Sequence, residues 1–138
     1  MLGELAASDS QCRISCLQYF NSEEAHLSGE LGEDSTGSPT NLVPYINQVA
    51  IGQRHILKVF GDDYPTSDNT GIRDYIYVCD LVKGHLKAME FLSKNSGVRV
   101  HNMATGRGHS VSEMSEAFRE ISNQEISLMA NDHLIEHD

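Results

Sequence analysis

Arg73 is the residue whose type and position could do chemistry. It lies in the stretch DNTGIRDYIYVCDL, residues 68–81, where a polar loop turns into an alternating apolar segment. A guanidinium can form two parallel hydrogen bonds to phosphate or carboxylate oxygens, so Arg73 is a candidate anion-binding residue. The alternative is an ion pair with Asp74 or with an acid of a nearby loop. Composition alone favours this alternative, because 20 acidic residues face 10 basic ones.

A second candidate for anion binding is the segment TGRGHS, residues 105–110. A glycine-containing turn before a helix N-terminus can bind phosphate through its backbone N–H groups. The segment lacks the full GxGxxG pattern, however, and this favours an ordinary tight connection.

The remaining chemistry is sparse. The seven histidines include no HExxH motif, and no serine lies in GxSxG. The sequence therefore predicts no catalytic residue and no metal site. Cys12, Cys16 and Cys79 are odd in number and lack CxxC spacing, which is typical of reduced thiols in a cytosolic protein.

Charge and hydropathy exclude some classes of partner. The net charge is −10, which argues against nucleic acid and anionic membranes, since both need a basic surface. No apolar run approaches the roughly 20 residues that cross a bilayer. The start, MLGELAASDSQ, has no basic region and no long apolar core, so we expect no signal peptide and a cytoplasmic location.

The hydrophobic patterns predict alternating strands and helices, and therefore an α/β protein. Asp80 is expected to cap a helix whose apolar stripe contains Val82, Leu86, Met89 and the pair Phe91 and Leu92. The last helix begins with a capping box formed by Ser110 and Glu113. The predicted order is a strand at 13–20, a polar loop at 21–40, a helix at 41–52, a strand at 55–60, a loop at 61–72, a strand at 73–78, the helix capped by Asp80, a strand at 98–103, the last helix, and a polar tail that could hold one more strand.

Taken together, four segments resemble the UDP-glucose 4-epimerase family of extended short-chain dehydrogenases. They are YFN, NLVPYINQVAIGQR, VFGDDYPTSDNTGIRDYIYVCDLVKGH and HNMATGRGHSV. The resemblance covers residues 1–122, which we assign to the C-terminal, nucleotide-sugar-binding portion of such an enzyme. Residues 123–138 form a divergent tail.

The resemblance implies a Rossmann-like fold whose N-terminal, NAD-binding half has no counterpart here. Family members interconvert UDP-glucose and UDP-galactose with a bound NAD, a YxxxK base and a GxxGxxG phosphate loop, and they dimerise through helices of the N-terminal domain. This sequence contains neither motif. We therefore expect no catalytic residue, doubtful NAD binding and no turnover by the chain alone.

The resemblance also implies site residues. It places Asn21, Asn41, Leu42, Phe60 and Arg73 at the bound UDP-sugar, with Arg73 on the diphosphate. It places Tyr19 and Phe20 near the nicotinamide of NAD.

The sequence departs from the family pattern at the candidate site. The family reads RYFNPTGAH where this chain reads QYFNSEEAH, so Glu23 and Glu24 add acids that would repel phosphate. Thr40 replaces an asparagine and Tyr77 a histidine. Three further interpretations stay open: a non-catalytic module that binds UDP-sugars or another protein, a portion of a related UDP-pentose epimerase, and a non-functional fragment that does not fold stably.

Overall fold

The computed structural model describes residues 1–23, 25–32, 37–130 and 133–135. Its helices are α1 (Leu2–Ser8), α2 (Leu42–Ala50), α3 (Val78–Lys94) and α4 (Val111–Ser122). Its strands are β1 (Arg13–Tyr19), β2 (Asn21–Glu23), β3 (Leu57–Val59), β4 (Ile72–Tyr77), β5 (Gly97–Met103), β6 (Gly108–Ser110), β7 (Leu128–Ala130) and β8 (His133–Ile135). Helices and parallel strand pairs alternate, so the predicted α/β class is confirmed.

The chain forms two compact units. The first contains residues 1–32 and 74–107, and the second contains residues 33–73 and 108–138. The boundary expected at residue 122, between an epimerase portion and a divergent tail, stays a prediction.

In the first unit, β1 pairs in parallel with β5, from Arg13 opposite Gly97 to Tyr19 opposite Met103. β2 pairs in parallel with β4, where Asn21 lies opposite Tyr75. The Arg13 guanidinium donates to the carbonyl oxygens of Leu92 and Ser93, at 2.9 and 2.8 Å. These carbonyls lie in the last turn of α3, where intrahelical donors run out, so Arg13 ties β1 to the end of this helix.

The core of the second unit lies between α2, α4 and the β3–β7 pair. Leu57 of β3 lies opposite Leu128 of β7, and β8 extends β7 as an antiparallel neighbour. The buried apolar residues are Ile46, Val49, Leu57, Val59, Ile126, Leu128 and Ala130, with Phe118 and Met114 packed against them. The expected strand in the tail is therefore present as β7.

The capping box of α4 is confirmed. The Ser110 hydroxyl accepts from the Glu113 backbone N–H at 3.0 Å, and the Glu113 carboxylate accepts from the Ser110 N–H at 2.9 Å. The capping box satisfies two backbone donors at the start of α4 with residues only three positions apart, and for this reason the sequence pattern predicts it.

One expectation for α3 is wrong. Its N-cap is Tyr77 rather than Asp80, which lies in the first turn and pairs with Lys83 at 2.8 Å. In the expected apolar stripe, Val82, Leu86 and Met89 are 53%, 55% and 68% exposed. Phe91, which belongs to the same stripe, is half-buried and faces the β1–β5 pair together with Gly84 and Ala88.

Candidate functional site

Arg73 is the second residue of β4 and its side chain is exposed. One guanidinium nitrogen donates to the carbonyl oxygen of Ile72 at 2.8 Å, which leaves most of the donors open. The expected ion pair with Asp74 does not form. In the described parts of the chain, no carboxylate lies within 4.0 Å of the Arg73 guanidinium. Within the described ranges, the Arg73 guanidinium thus has no acidic partner, although the protein as a whole is acidic.

Asp74 is bound elsewhere, and this explains the missing pair. Its carboxylate accepts from the Thr105 N–H at 2.9 Å, the Thr105 hydroxyl at 2.8 Å and the Gly106 N–H at 2.7 Å. The backbone hydrogen bond from Thr105 is the largest cause that lowers the pKa of Asp74 below its ordinary value. Because three donors hold this carboxylate on the turn, it does not turn toward Arg73.

The same contacts show whether the segment TGRGHS, residues 105–110, is a phosphate-binding turn or a tight connection. The turn does gather N–H groups toward an anion, with Gly106 at a φ of 79°. The anion is the chain's own Asp74 carboxylate. The turn is thus a tight connection that an internal acid stabilises, as the incomplete glycine motif favoured.

The loop before Arg73 is held by Asp68. Its carboxylate accepts from the Thr70 N–H and the Thr70 hydroxyl, both at 2.9 Å, and it also accepts from the hydroxyl of Ser110. Thr70 and Ser110 are buried, at 0% and 3% exposure. Thr66 completes the set at 3.3 Å. Asp68 thereby anchors the segment from which β4 and Arg73 begin, a role that sequence reasoning missed although Asp-x-Thr is a frequent turn pattern.

Asn41, Leu42 and Phe60 lie in the second unit with Arg73. Asn41 is the N-cap of α2, but its side chain makes no capping hydrogen bond. Its amide is exposed, so it can meet a ligand. Leu42 packs against the hydrophobic core. Phe60 directly follows β3 and is 85% exposed, so its ring is accessible from solvent.

Tyr19, Phe20 and Asn21 lie in the first unit, where β1 ends and β2 begins. The two aromatic side chains are 54% and 53% exposed, and the Asn21 side chain is also exposed. The Tyr19 ring lies 6.1 Å from the ring of His85 of α3. Of the two acids expected to repel phosphate, Glu23 ends β2, and Glu24 lies outside the described residues.

Two cavities in the first unit contain none of these seven predicted residues. One, of about 420 Å³, is apolar and lies between the segment 25–32 and the start of α3. The other, of about 330 Å³, lies between α3 and the β1–β5 pair. The sequence pattern gave no signal for either.

Among the described residues, no group of three or more histidine, cysteine or acidic side chains could hold a metal ion. All three cysteines carry free thiols. No helix in the described ranges is long and apolar enough to cross a membrane.

Comparison with known proteins gives a consistent result. The chain is 48% identical over 126 residues to the UDP-glucose 4-epimerase of Bacillus subtilis (strain 168), covering 91% of this chain and 37% of that protein. It is 50% identical over 122 residues to the enzyme of the same name from Erwinia amylovora, covering 88% and 36%. The chain thus spans little more than a third of the length of these curated relatives.

Solved structures agree. A UDP-glucose 4-epimerase from Stenotrophomonas maltophila, with bound NAD and formylated UDP-arabinopyranose, superposes with a TM-score of 0.89 at 43% identity and covers 94% of this chain and 38% of its own. The Bifidobacterium longum enzyme in complex with NAD⁺ and UDP gives 0.87 at 42% identity, covering 93% and 38%.

The family whose description is "NAD dependent epimerase/dehydratase family" matches residues 3–104, about three quarters of the chain. The Rossmann-like architecture expected from the sequence is that of these structural relatives. The chain belongs to the NAD dependent epimerase/dehydratase family.

Proposed function

We propose that this chain is the nucleotide-sugar-binding portion of a UDP-glucose 4-epimerase, that it binds the UDP moiety, and that it does not turn over substrate alone. The main observation that supports this proposal is that the Arg73 guanidinium, at the start of β4, is exposed and makes only one hydrogen bond within the described ranges, to the carbonyl oxygen of Ile72. We further propose that it acts in the cytoplasm, where its three free thiols would stay reduced.

Electrostatics support a diphosphate ligand. Arg73 has no carboxylate partner in the described ranges, and the adjacent Asp74 is held by Thr105 and Gly106. An anion that reaches Arg73 therefore does not have to displace an existing ion pair. Because the net charge of −10 opposes anion binding in general, the affinity for a diphosphate has to come from paired hydrogen bonds to Arg73.

Two further side chains of the same unit suit the uridine part. The exposed Phe60 ring offers a flat apolar face, and base–aromatic stacking contributes about 1–3 kcal/mol. The Asn41 amide, unused as a helix cap, can donate to and accept from ligand groups. Leu42, the next residue, is partly buried against the hydrophobic core and can offer an apolar contact to the ligand beside Asn41.

The NAD cofactor fits this chain poorly. Tyr19 and Phe20 are half exposed and could contact a nicotinamide ring. No GxxGxxG loop exists in the sequence, and the Asp74 carboxylate already fills the glycine turn at 105–106. Because the described residues offer no cradle for the dinucleotide phosphates, we propose that NAD does not bind stably to this chain alone. The homodimer of the family is likewise not expected from it.

Calorimetric titration with UDP tests the proposal. A charge-assisted hydrogen bond is worth about 1.5–3 kcal/mol, so Arg73→Ala should weaken UDP binding roughly tenfold to a hundredfold. Arg73→Lys should keep part of the affinity, since it retains the charge without the fork.

Arg99→Ala is the matched control. Arg99 is an exposed strand arginine that also donates to the carbonyl of its preceding residue, Val98, at 3.0 Å. It should leave UDP binding unchanged. Uridine, which lacks phosphate, should bind parent and Arg73→Ala equally. If Arg73→Ala binds UDP as well as Arg99→Ala does, Arg73 is an ordinary surface charge and the proposal fails.

A further inference from the structure

We propose that Arg54 is a positioning residue for the nucleotide site: its guanidinium joins the segment before α2 to the far end of that helix, and so fixes Asn41 for the ligand. We call the contacts of Arg54 with Ser38, Tyr45 and Gln48 the Arg54 clamp. The inference rests on the proposed function, because it concerns the same site, but the clamp itself can also be tested without ligand.

The end of α2 brings Arg54 back against the helix. The Gly52 N–H donates to the Val49 carbonyl at 2.9 Å, and Gly52 has a φ of 75°, a left-handed conformation that commonly ends a helix. Two residues later, the Arg54 N–H donates to the Gln48 carbonyl at 3.0 Å. The Arg54 backbone therefore lies beside the last turn of α2, within reach of side chains on the helix surface.

The Arg54 guanidinium makes three contacts at once. Its Nε donates to Gln48 Oε1 at 2.6 Å, its Nη2 donates to the Ser38 hydroxyl at 2.9 Å, and its Cζ lies 4.7 Å from the centroid of the Tyr45 ring. Tyr45 and Gln48 are three residues apart and thus share a face of α2. Since Ser38 lies three residues before the N-cap, the guanidinium ties the chain that enters the helix to the chain that leaves it.

These three partners are neutral, which distinguishes the Arg54 clamp from a surface ion pair. An amide oxygen and a hydroxyl meet two different nitrogens of the planar fork, and an aromatic face meets its flat side. Lysine would keep the charge but lacks the fork and the plane. Arg54 is also half-buried, so it is held more firmly than a freely solvated arginine.

The clamp does the work that a helix cap usually does. An N-cap asparagine commonly accepts from a backbone N–H of the first turn, but the Asn41 side chain makes no such bond. The Ser38–Arg54 hydrogen bond holds the chain three residues earlier instead, and the buried Pro39 restricts the backbone between them. The Asn41 amide thus stays exposed for a ligand while its backbone is fixed.

A fixed Asn41 should bind the ligand more tightly, because a group that is already ordered does not have to be ordered on binding. The clamp acts on the part of the site proposed for the uridine, whereas the diphosphate is assigned to Arg73. Loss of the clamp should therefore weaken UDP and uridine by the same factor, while Arg73→Ala weakens UDP alone.

Calorimetric titration of UDP and uridine into Arg54→Ala, Arg54→Lys and Ser38→Ala tests the clamp. Arg54→Ala should weaken both ligands about twofold to tenfold, the range expected when one more group has to be ordered on binding. Arg54→Lys should recover little of this loss. Ser38→Ala should weaken both ligands too, and adding it to Arg54→Ala should have no further effect, because both changes break the same contact.

Arg119→Ala is the matched control. It removes another half-buried arginine of the second unit, one that pairs with Glu116 of α4, and it should bind both ligands as the parent does.

Backbone relaxation by NMR tests the clamp without ligand. In the parent, the amides of Thr40 and Asn41 should be as ordered as those of α2. In Arg54→Ala their order parameters should fall, while those of α4 stay unchanged. A purely stabilising contact would instead lower the free energy of unfolding and leave the order and the affinity of the folded protein as they are.

Several results would overturn the proposal. Unchanged order at Thr40 and Asn41 in Arg54→Ala would show that other contacts hold the segment. A parent that binds UDP with the same affinity as Arg54→Ala would refute the positioning role and leave the proposed function intact. A loss of UDP affinity with unchanged uridine affinity would make Arg54 a phosphate ligand, and parent-like affinity in Arg54→Lys would show that charge alone suffices. If the parent binds no UDP, the proposed function fails and the positioning role fails with it.

Discussion

Replacing Asp68 should destabilise the second unit, because this carboxylate is the common acceptor for donors on both sides of the loop that leads to Arg73. Asp68→Ala removes the acceptor for the Thr70 N–H, the Thr70 hydroxyl and the Ser110 hydroxyl. Thr70 and Ser110 are buried, so water cannot replace the lost partner easily. A buried donor left unsatisfied costs about 1–3 kcal/mol, and Asp68 itself is partly exposed, so we expect a total loss of about 2–4 kcal/mol.

Asp68→Asn should cost less, about 1–2 kcal/mol, because the amide oxygen keeps some donors while the NH₂ group faces others. Asp63, an exposed acid of the same loop, supplies the matched controls Asp63→Ala and Asp63→Asn. Urea unfolding followed by circular dichroism measures the differences. If Asp68→Ala unfolds at the same urea concentration as Asp63→Ala, the network is a passive surface feature and the reasoning is wrong.

The pH dependence gives an independent check. Partial burial raises the pKa of Asp68, but hydrogen bonds from Ser110, Thr70 and Thr66 outweigh it and hold the pKa below the ordinary value of 3.8. A lowered folded pKa contributes stability that is present above the unfolded pKa and is lost as pH falls through the folded one. The advantage of the parent over Asp68→Asn should therefore shrink as the pH is lowered from about 5 to below about 3.

Three further predictions concern other positions. In Gly61→Ala, the new Cβ would lie 2.9 Å from Tyr64 Cε2 at a φ of +95°, so thermal unfolding should show a stability loss of about 1–2 kcal/mol. Gly52→Ala, which has a similar φ but open space around it, is the control and should lose less stability. Equal losses in the two variants would contradict the crowding at Gly61. In Asp74→Asn, the backbone amides of Thr105 and Gly106 should exchange with solvent faster than in the parent. In the parent, NMR should show the chemical shifts of these amides titrating with a pKa below the ordinary aspartate value. Unchanged exchange in the variant would refute the carboxylate contact. A coupled assay with UDP-galactose and added NAD should find no turnover above blank, since hydride transfer needs the cofactor and its base; measurable turnover would contradict this.

Elements with local signals were predictable. Helix α2 and the capping box of α4 follow from residues a few positions apart, and the structure has both. The three-residue strands β2 and β6 were missed, because each owes its extended form to a distant partner rather than to its own pattern. The start of α3 was misplaced because Asp80 is a good capping residue, yet Tyr77 precedes the first helical turn.

The α3 stripe shows the limit of periodicity. The spacing of Val82, Leu86 and Met89 predicted a helix correctly, but spacing does not say how far each side chain is buried, since burial depends on the elements packed around the helix. For the candidate site, the sequence identified Arg73 by its residue type and position. It did not show that Asp74 is unavailable as an ion-pair partner, because that depends on a hydrogen bond from Thr105, 31 residues after Asp74. A contact between residues so far apart in the chain cannot be predicted from the residue pattern around either one.

The interleaving of the two units has a consequence for how the chain acquires its structure during synthesis. The chain passes between units after residues 32, 73 and 107, so neither unit is a continuous stretch. When β1 leaves the ribosome, about eighty more residues have to be synthesised before its partner β5 begins. Such closure is entropically costly and slow, and the edge of β1 that faces β5 stays unpaired until then. We therefore expect nascent chains to depend on holding factors until residue 103 has emerged, and the second unit to mature only once β7 is synthesised.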